Sequence, residues 1–291
     1  MISVRKMLDH YQIRPQKRLG QSFLKDVNII RKIVEIADPG GDQTIVEIGA
    51  GLGLLTEKLA EKAEKVIAIE IDARLEKALR NRFEGKESVE VLGMDVLDYD
   101  FSSACRGGKI KVVGNIPYHI STPILFRLLE FRRSISAMTL MFQKELADRI
   151  MAIPGTKQYG LPSVMVASRA IVDCILNVPP ACFYPVPGVS SSILRFTFRE
   201  GKFPFSEPLF DQIVRMSFAQ RRKTLWNNLR RTGLPDATAA MIFDKSGIDR
   251  TRRAETLSVD DFCRLTRAWT ESGAVNDPGR IAVQHRESRG E

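Results

Sequence analysis

The chain has 291 residues, 44% of them hydrophobic, and a formal net charge of +9, enough for one large α/β domain and a smaller one with ordinary buried cores. Its four cysteines (Cys105, Cys174, Cys182, Cys263) form no C-x-x-C pair, and only His10, His119 and His285 supply imidazoles; this argues against a disulfide frame, a zinc site or other metal chemistry and for a reducing cytoplasm. Arg5 and Lys6 precede no apolar stretch, so no signal peptide is predicted. The longest uncharged run, 174–194, carries Pro179, Pro180, Pro185 and Pro187 and could not be a membrane helix.

Ile29, Ile30, Ile33 and Val34 recur at helical spacing and end at Asp38-Pro39-Gly40-Gly41. Thr44–Ile48 predicts a buried strand running into glycines, then a helix over 54–63, a strand over 66–69 and a helix over 73–83. Strands follow at 88–92, 110–113 and 137–142, with a helix over 123–131. Short apolar strands separated by helices predict an α/β fold whose parallel sheet is covered on both faces. Residues 163–176 and 191–198 read as two further strands, separated by the Pro-rich segment 179–187 and added as a hairpin at the sheet edge. Lys202-Phe203-Pro204 reads as a linker. Helices are expected at 209–219, 223–231, 237–244 and 259–270, and the tail 271–291 loses its apolar period and is expected to be disordered. The expected organisation is a basic N-terminal segment (1–25), a catalytic domain (26–200), a helical domain (205–270) and the tail.

Glu47-Ile48-Gly49-Ala50-Gly51-Leu52-Gly53 stands where the first strand turns into a helix. Glycines there permit a tight turn and close approach of a ligand, but G-x-G-x-G followed by Leu54 does not meet the dinucleotide spacing G-x-G-x-x-G. Glu70 ends the next strand, 21 residues after Gly49, where a carboxylate can accept both ribose hydroxyls. Asp95 follows the third strand and can take an adenine amine. Three features in order at strand C-termini point to an adenosine-bearing cofactor at the switch point of the sheet.

The fourth strand ends in Asn115-Ile116-Pro117-Tyr118-His119, the most specific chemistry in the chain. An exocyclic adenine amine is a weak nucleophile because its lone pair is delocalised into the ring. Two acceptors aimed at its N–H bonds, the Asn115 side-chain oxygen and the Ile116 carbonyl, would localise that pair. Pro117 removes a donor and stiffens the turn, and Tyr118 offers a ring for an extruded base. Phe183 or Tyr184 would supply a second aromatic face. Attack on a sulfonium methyl needs no strong base, because the nitrogen becomes acidic as it is methylated, so His119 is read as standing beside the turn. Met138, Met141 and Phe142 are read as core.

The positive charge is concentrated at the two ends. Residues 1–25 hold six basic and one acidic side chain, residues 201–270 thirteen and eight, and residues 26–200 are balanced. A polyanion would bind such ends in a salt-dependent way. Arg221, Arg222 and Lys223, with Arg252 and Arg253, are the expected RNA-backbone contacts; Arg14, Lys17 and Arg18 could serve the same RNA.

With these motifs in place, the sequence resembles the bacterial small-subunit ribosomal RNA adenine dimethyltransferases, the KsgA/RsmA family, from about Arg14 to Arg267. The matching stations are Gly20–Leu24, Glu47–Gly53, Asn115–Tyr118, Gln143–Glu145, Phe183–Pro187, Phe218–Leu225 and Arg253–Ser258. The resemblance implies a Rossmann-like class I methyltransferase sheet with helices on both faces and a small C-terminal helical domain. It also implies S-adenosylmethionine as cofactor, with S-adenosylhomocysteine as product. Its contacts would fall on Ser22, Leu24, Gly49, Gly51, Glu70, Asp95 and Asn115. The implied reaction converts two adjacent adenosines near the 3′ end of 16S rRNA to N6,N6-dimethyladenosine within an assembling small subunit, by a cytoplasmic monomer. Two departures stand out. Ser22 replaces a usual Asn, and Gly188-Val189-Ser190-Ser191 replaces Lys-Val-Asp-Ser. A large-subunit rRNA methyltransferase of the erythromycin-resistance type, a DNA adenine methyltransferase and a non-catalytic assembly factor are the alternatives.

Overall fold

A computed structural model describes residues 3–16, 19–201 and 206–274; Lys17, Arg18, the expected linker and the expected disordered tail beyond residue 274 lie outside the described residues. The chain divides into two compact units, one comprising the residues up to Asp148 with Arg169–Arg199, the other Arg149–Ser168 with the residues from Glu200 onward.

The first unit is built on a seven-stranded sheet. In chain order, after the short β1 (Phe23–Leu24), its strands are β2 (Thr44–Ile48), β3 (Lys65–Glu70), β4 (Val89–Gly93), β5 (Ile110–Asn115), β6 (Ile135–Gln143), β7 (Ala170–Val178) and β9 (Ser191–Phe198), arranged β4-β3-β2-β5-β6-β9-β7. Strands β2 to β6 are parallel, and β9 enters antiparallel between β6 and β7. Every residue of β2 is buried, as a strand covered on both faces requires. The covering helices are α2 (Val27–Ala37), α3 (Leu54–Ala60), α4 (Ala73–Arg82) and α5 (Ser121–Glu130). Asp26 caps α2 by accepting from the Asn28 and Ile29 N–H groups at 2.9 and 3.2 Å, which fixes the face carrying Ile30, Ile33, Val34 and Ala37 against the core. Met138, Met141 and Phe142 are buried, as expected. Chain order reverses between β2 and β5, so the glycine turn after β2 and the Asn115 turn after β5 are neighbours, with Ile48 in register with Gly114.

A short helix that the sequence reading did not foresee, α1 (Val4–His10), is capped by Ser3 and buries Val4 and Leu8 beside Leu52, Leu75 and Ala78. A two-stranded ribbon pairs β1 with β8 (Phe183–Tyr184), joining two stations far apart in sequence.

The second unit holds α7 (Leu161–Ala167), α8 (Glu207–Ser217), α9 (Leu225–Arg230), α10 (Asp236–Ser246) and α11 (Val259–Glu271), while the short α6 (Lys144–Ile150) runs across the boundary in sequence. Residues 163–167, expected to open a strand over 163–176, lie instead in α7, and β7 begins only at Ala170. The run Val164-Met165-Val166 is apolar with two β-branched valines, which reads as strand, yet Pro162 sits in the first turn and the Ser163 hydroxyl accepts from the Gly160 N–H at 3.0 Å and donates to the Arg149 carbonyl at 2.5 Å. Residues 149–168 join the helical unit through local bonds: Gly155 N–H to the Glu255 carbonyl at 2.8 Å, and the Tyr159 hydroxyl to the Leu257 carbonyl at 2.8 Å. The first unit is therefore discontinuous in sequence, where an unbroken catalytic domain over 26–200 was expected. Phe218 stands 6.3 Å from Tyr159 and 6.0 Å from Phe262, ring centre to ring centre, and Trp269 is fully buried. Among the described residues no helix is long and apolar enough to cross a membrane.

Candidate active site

One concave pocket in the first unit gathers the turn after β2, the ends of β3, β4 and β5, and the loop before β1. Gly49 and Gly51 have φ of +72° and +58°, a region that disfavours side chains. A Cβ at Gly49 would lie 3.1 Å from the Asn115 carbonyl oxygen, and one at Gly51 3.2 Å from the Phe23 ring. The two turns therefore meet closely only because glycine stands there.

Three carboxyl groups line the pocket. Glu70 is buried and accepts from the Gly51 N–H at 2.9 Å and the Asp72 N–H at 3.0 Å, so each oxygen has one bond and a spare lone pair. Burial raises its pKa. Asp95 accepts from the Leu97 N–H at 2.9 Å through one oxygen, leaving its second oxygen without a bond to any described residue. Glu47, which the sequence reading passed over, is buried, and its Oε2 has no hydrogen-bond partner among the described residues. Burial, partly offset by the neighbouring Thr56 hydroxyl and helped by a smaller contribution from the charge of Glu70, raises its pKa to about 8. A carboxyl in the middle of an otherwise apolar strand, Thr44–Ile48, was the available signal for it. An orphaned buried carboxyl oxygen and a glycine cradle suit an adenosine-bearing ligand that also carries a cation.

The segment before β1 is clamped to this frame. Gln21 donates to Asp72 at 2.8 Å and accepts from the Gln16 N–H at 2.7 Å. Hydrogen bonds from Arg74 hold the Asp72 pKa down at about 2. The Ser22 hydroxyl donates to the Pro185 carbonyl at 2.7 Å, which ties this pocket-lining residue to the Pro-rich loop. Leu24 lines the pocket while pairing with Phe183.

Asn115 Nδ2 donates to the Ser22 carbonyl at 3.1 Å. That bond orients the amide and leaves its oxygen without a partner among the described residues, as an acceptor for an amine must be. The Ile116 N–H is spent on the Met141 carbonyl at 3.1 Å, and no described backbone N–H is directed at the Ile116 carbonyl. Tyr118, half-buried, lines the pocket, and the Ser121 hydroxyl braces the turn against the Pro117 and Tyr118 carbonyls at 2.9 and 3.2 Å. His119 lines the pocket rim and is exposed.

The second aromatic face is not where it was expected. Phe183 is fully buried among Ile30, Ile33, Val178 and Ile193, because pairing of Leu24 with Phe183, and of the Lys25 N–H with the Cys182 carbonyl, turns its ring into the core. Tyr184 packs beside Leu52 and Leu75. Of the expected stacking rings, only Tyr118 lines the pocket.

The five expected RNA contacts divide in the helical unit. Arg221 donates to Glu255 at 2.9 Å and also to the Lys157 carbonyl. Arg252 donates to Thr256 and lies 3.3 Å from an Asp261 oxygen. Arg222, Lys223 and Arg253 are exposed and make no ion pair among the described residues. Arg231, not singled out in sequence, lines a shallow depression with Lys223, Gln220 and Asn227.

A sheet of this order, with a glycine turn and successive carboxylates at its switch point, defines a class I S-adenosylmethionine-dependent methyltransferase. The chain belongs to the ribosomal RNA adenine dimethylase family, whose model matches residues 13–271. It is 44% identical over 280 residues to a ribosomal RNA small subunit methyltransferase A of Syntrophus aciditrophicus, covering 94% of this chain and all of that one. The namesake from Bacillus mycoides is 41% identical over 273 residues, 90% of this chain and 94% of its own. Among solved structures, a dimethyladenosine transferase from Plasmodium falciparum superposes with a TM-score of 0.75 at 28% identity, covering 86% of this chain and 98% of that one. The 23S rRNA methyltransferase ErmE gives 0.63 at 28%, covering 84% and 98%.

Proposed function

We propose that this chain dimethylates N6 of two adjacent adenosines near the 3′ end of 16S rRNA within an assembling small ribosomal subunit, as a cytoplasmic monomer. The observation that carries the chemistry is the orientation of Asn115: its Nδ2 is tied to the Ser22 carbonyl at 3.1 Å, so its oxygen is the atom left for the amine. Bound S-adenosylmethionine supplies the electrophilic methyl group and leaves as S-adenosylhomocysteine. Glu70 would hold the ribose and Asp95 the adenine amine, with Gly49, Gly51, Ser22 and Leu24 lining the rest of the cofactor site. Glu47 places a carboxyl where a cation can ionise it. The Asn115 oxygen and the Ile116 carbonyl accept the two N–H bonds of the target amine, which drives its nitrogen toward a tetrahedral shape. Positioning and charge placement carry the rate. Tyr118 stacks on the extruded base, and Pro117 keeps the turn rigid. Phe183 supports this site from the core, holding Leu24 in place. Arg222, Lys223 and Arg253 contact rRNA phosphates.

The small-subunit assignment rests on the two relatives named for it; the likeness to ErmE supports a large-subunit alternative. Purified unmethylated small and large subunits, incubated separately with enzyme and labelled cofactor, decide between them. Label in two adjacent adenines of the small-subunit RNA is the expected result, and label in the large subunit alone would overturn it.

A further inference from the structure

The Tyr118 hydroxyl shares a hydrogen bond of 2.8 Å with the Ser191 hydroxyl. Ser191 is fully buried and opens β9, in register with Gln143 of β6 on one side and Val178 of β7 on the other. The preceding residue is held as well, the Lys144 N–H donating to the Ser190 carbonyl at 2.9 Å. The Ser191 hydroxyl therefore projects from backbone fixed on both sides, and among the described residues Tyr118 is the only hydrogen-bond partner of that hydroxyl. Tyr118 itself is held at its other end by Ser121 bonding the turn carbonyls. An aromatic ring on a surface turn ordinarily keeps the freedom of its two side-chain torsions. This one is pinned at backbone and hydroxyl, and burial of the hydroxyl raises its pKa, so it stays a neutral hydrogen-bonding group.

We propose that Ser191 is a positioning residue for methyl transfer: by anchoring the Tyr118 hydroxyl it fixes the direction of the ring's long axis and so the place of the stacking surface, and the extruded adenine arrives with its amine already aimed at Asn115. This rests on the reading of Tyr118 as the stacking surface. A ring that must be ordered after the base arrives reduces the fraction of complexes in attacking geometry, which lowers the rate of the chemical step rather than cofactor affinity.

The test is a double-mutant cycle on the full chain, with single-turnover methylation of unmethylated small subunits at saturating cofactor. Ser191→Ala and Tyr118→Phe should each slow the chemical step about fivefold, with unchanged cofactor affinity by calorimetry. The double variant should show the same loss, and Ser191→Thr should restore the rate. A wild-type rate for Ser191→Ala, or losses that multiply to about twenty-five-fold in the double variant, would overturn the proposal. Loss of cofactor affinity in parallel with rate would likewise make Ser191 a structural residue only. If Ser191→Ala fails to fold, Ser191→Cys replaces it, filling the site with a weak hydrogen-bonding thiol. Tyr118→Ala separates the two readings: a wild-type rate there defeats the stacking role itself, whatever Ser191 does.

Discussion

In the catalytic unit, polar groups bond to one another and still leave capacity facing the pocket: Glu70 has a spare lone pair on each oxygen, Asn115 an unused carbonyl oxygen, Glu47 an unbonded Oε2. In the helical unit, Arg221 and Arg252 commit their guanidinium donors to neighbouring carbonyls and side chains, while Arg222, Lys223 and Arg253 do not. The same residue type is thus tied into the frame or left exposed for the proposed phosphate contact, depending on what the fold places beside it. A preorganised acceptor gains from a bonded partner that leaves one atom free. A phosphate contact gains from having none.

The sharpest break of that comparison is Asn115→Ala. Removing the oriented acceptor should lower single-turnover methyl transfer by about 10²–10³-fold, while filter binding finds RNA affinity essentially unchanged. Activity retained within tenfold would mean that the Ile116 carbonyl suffices alone, and that the orientation imposed by Ser22 is incidental. Second in size are the cations. Arg222→Ala, Lys223→Ala and Arg253→Ala should each weaken RNA binding and lower the salt-dependence slope by about 1. Arg221→Ala and Arg252→Ala should leave that slope alone and lower the melting temperature, because they remove internal bonds. If all five variants shift the slope alike, the division between frame and contact is wrong.

The sequence made the places of the turn proposed to be catalytic and of the carboxylates proposed for the cofactor legible, because the order of apolar runs fixes where strands end. Asn115 and Glu70 close β5 and β3, and Asp95 stands just after β4, as chain order predicted. Partners were not legible. Whether Arg221 meets a phosphate or Glu255 depends on residues 34 apart in sequence that only the packing of the helical unit brings together. Phe183 was misplaced for the same reason: its motif carries an aromatic, but the β1–β8 pairing that turns the ring inward joins segments with no local signal. Residues 163–167 read as strand for a local reason, since the apolar Val164-Met165-Val166 masked the proline and serine that start the helix.

Glu47 gives the smallest expected effect and the finest test of whether the pocket is built with a poised charge. Its pKa is raised to about 8 in the folded protein from an ordinary 4.5. The folded state therefore binds this proton more tightly than the unfolded chain. The resulting stabilisation is fully present below about pH 4.5 and is lost as pH rises toward 8. Glu47→Gln cannot ionise, so without cofactor the variant should lose less melting temperature than wild type between pH 5 and pH 9, by several degrees. Cofactor binding should move the other way. A cation beside Glu47 favours the ionised form, so wild-type affinity should rise with pH across the same interval and the Glu47→Gln affinity should stay flat. Parallel melting profiles for the two proteins would mean that the carboxyl is solvated rather than orphaned. Parallel binding profiles would mean that the cation lies elsewhere in the pocket.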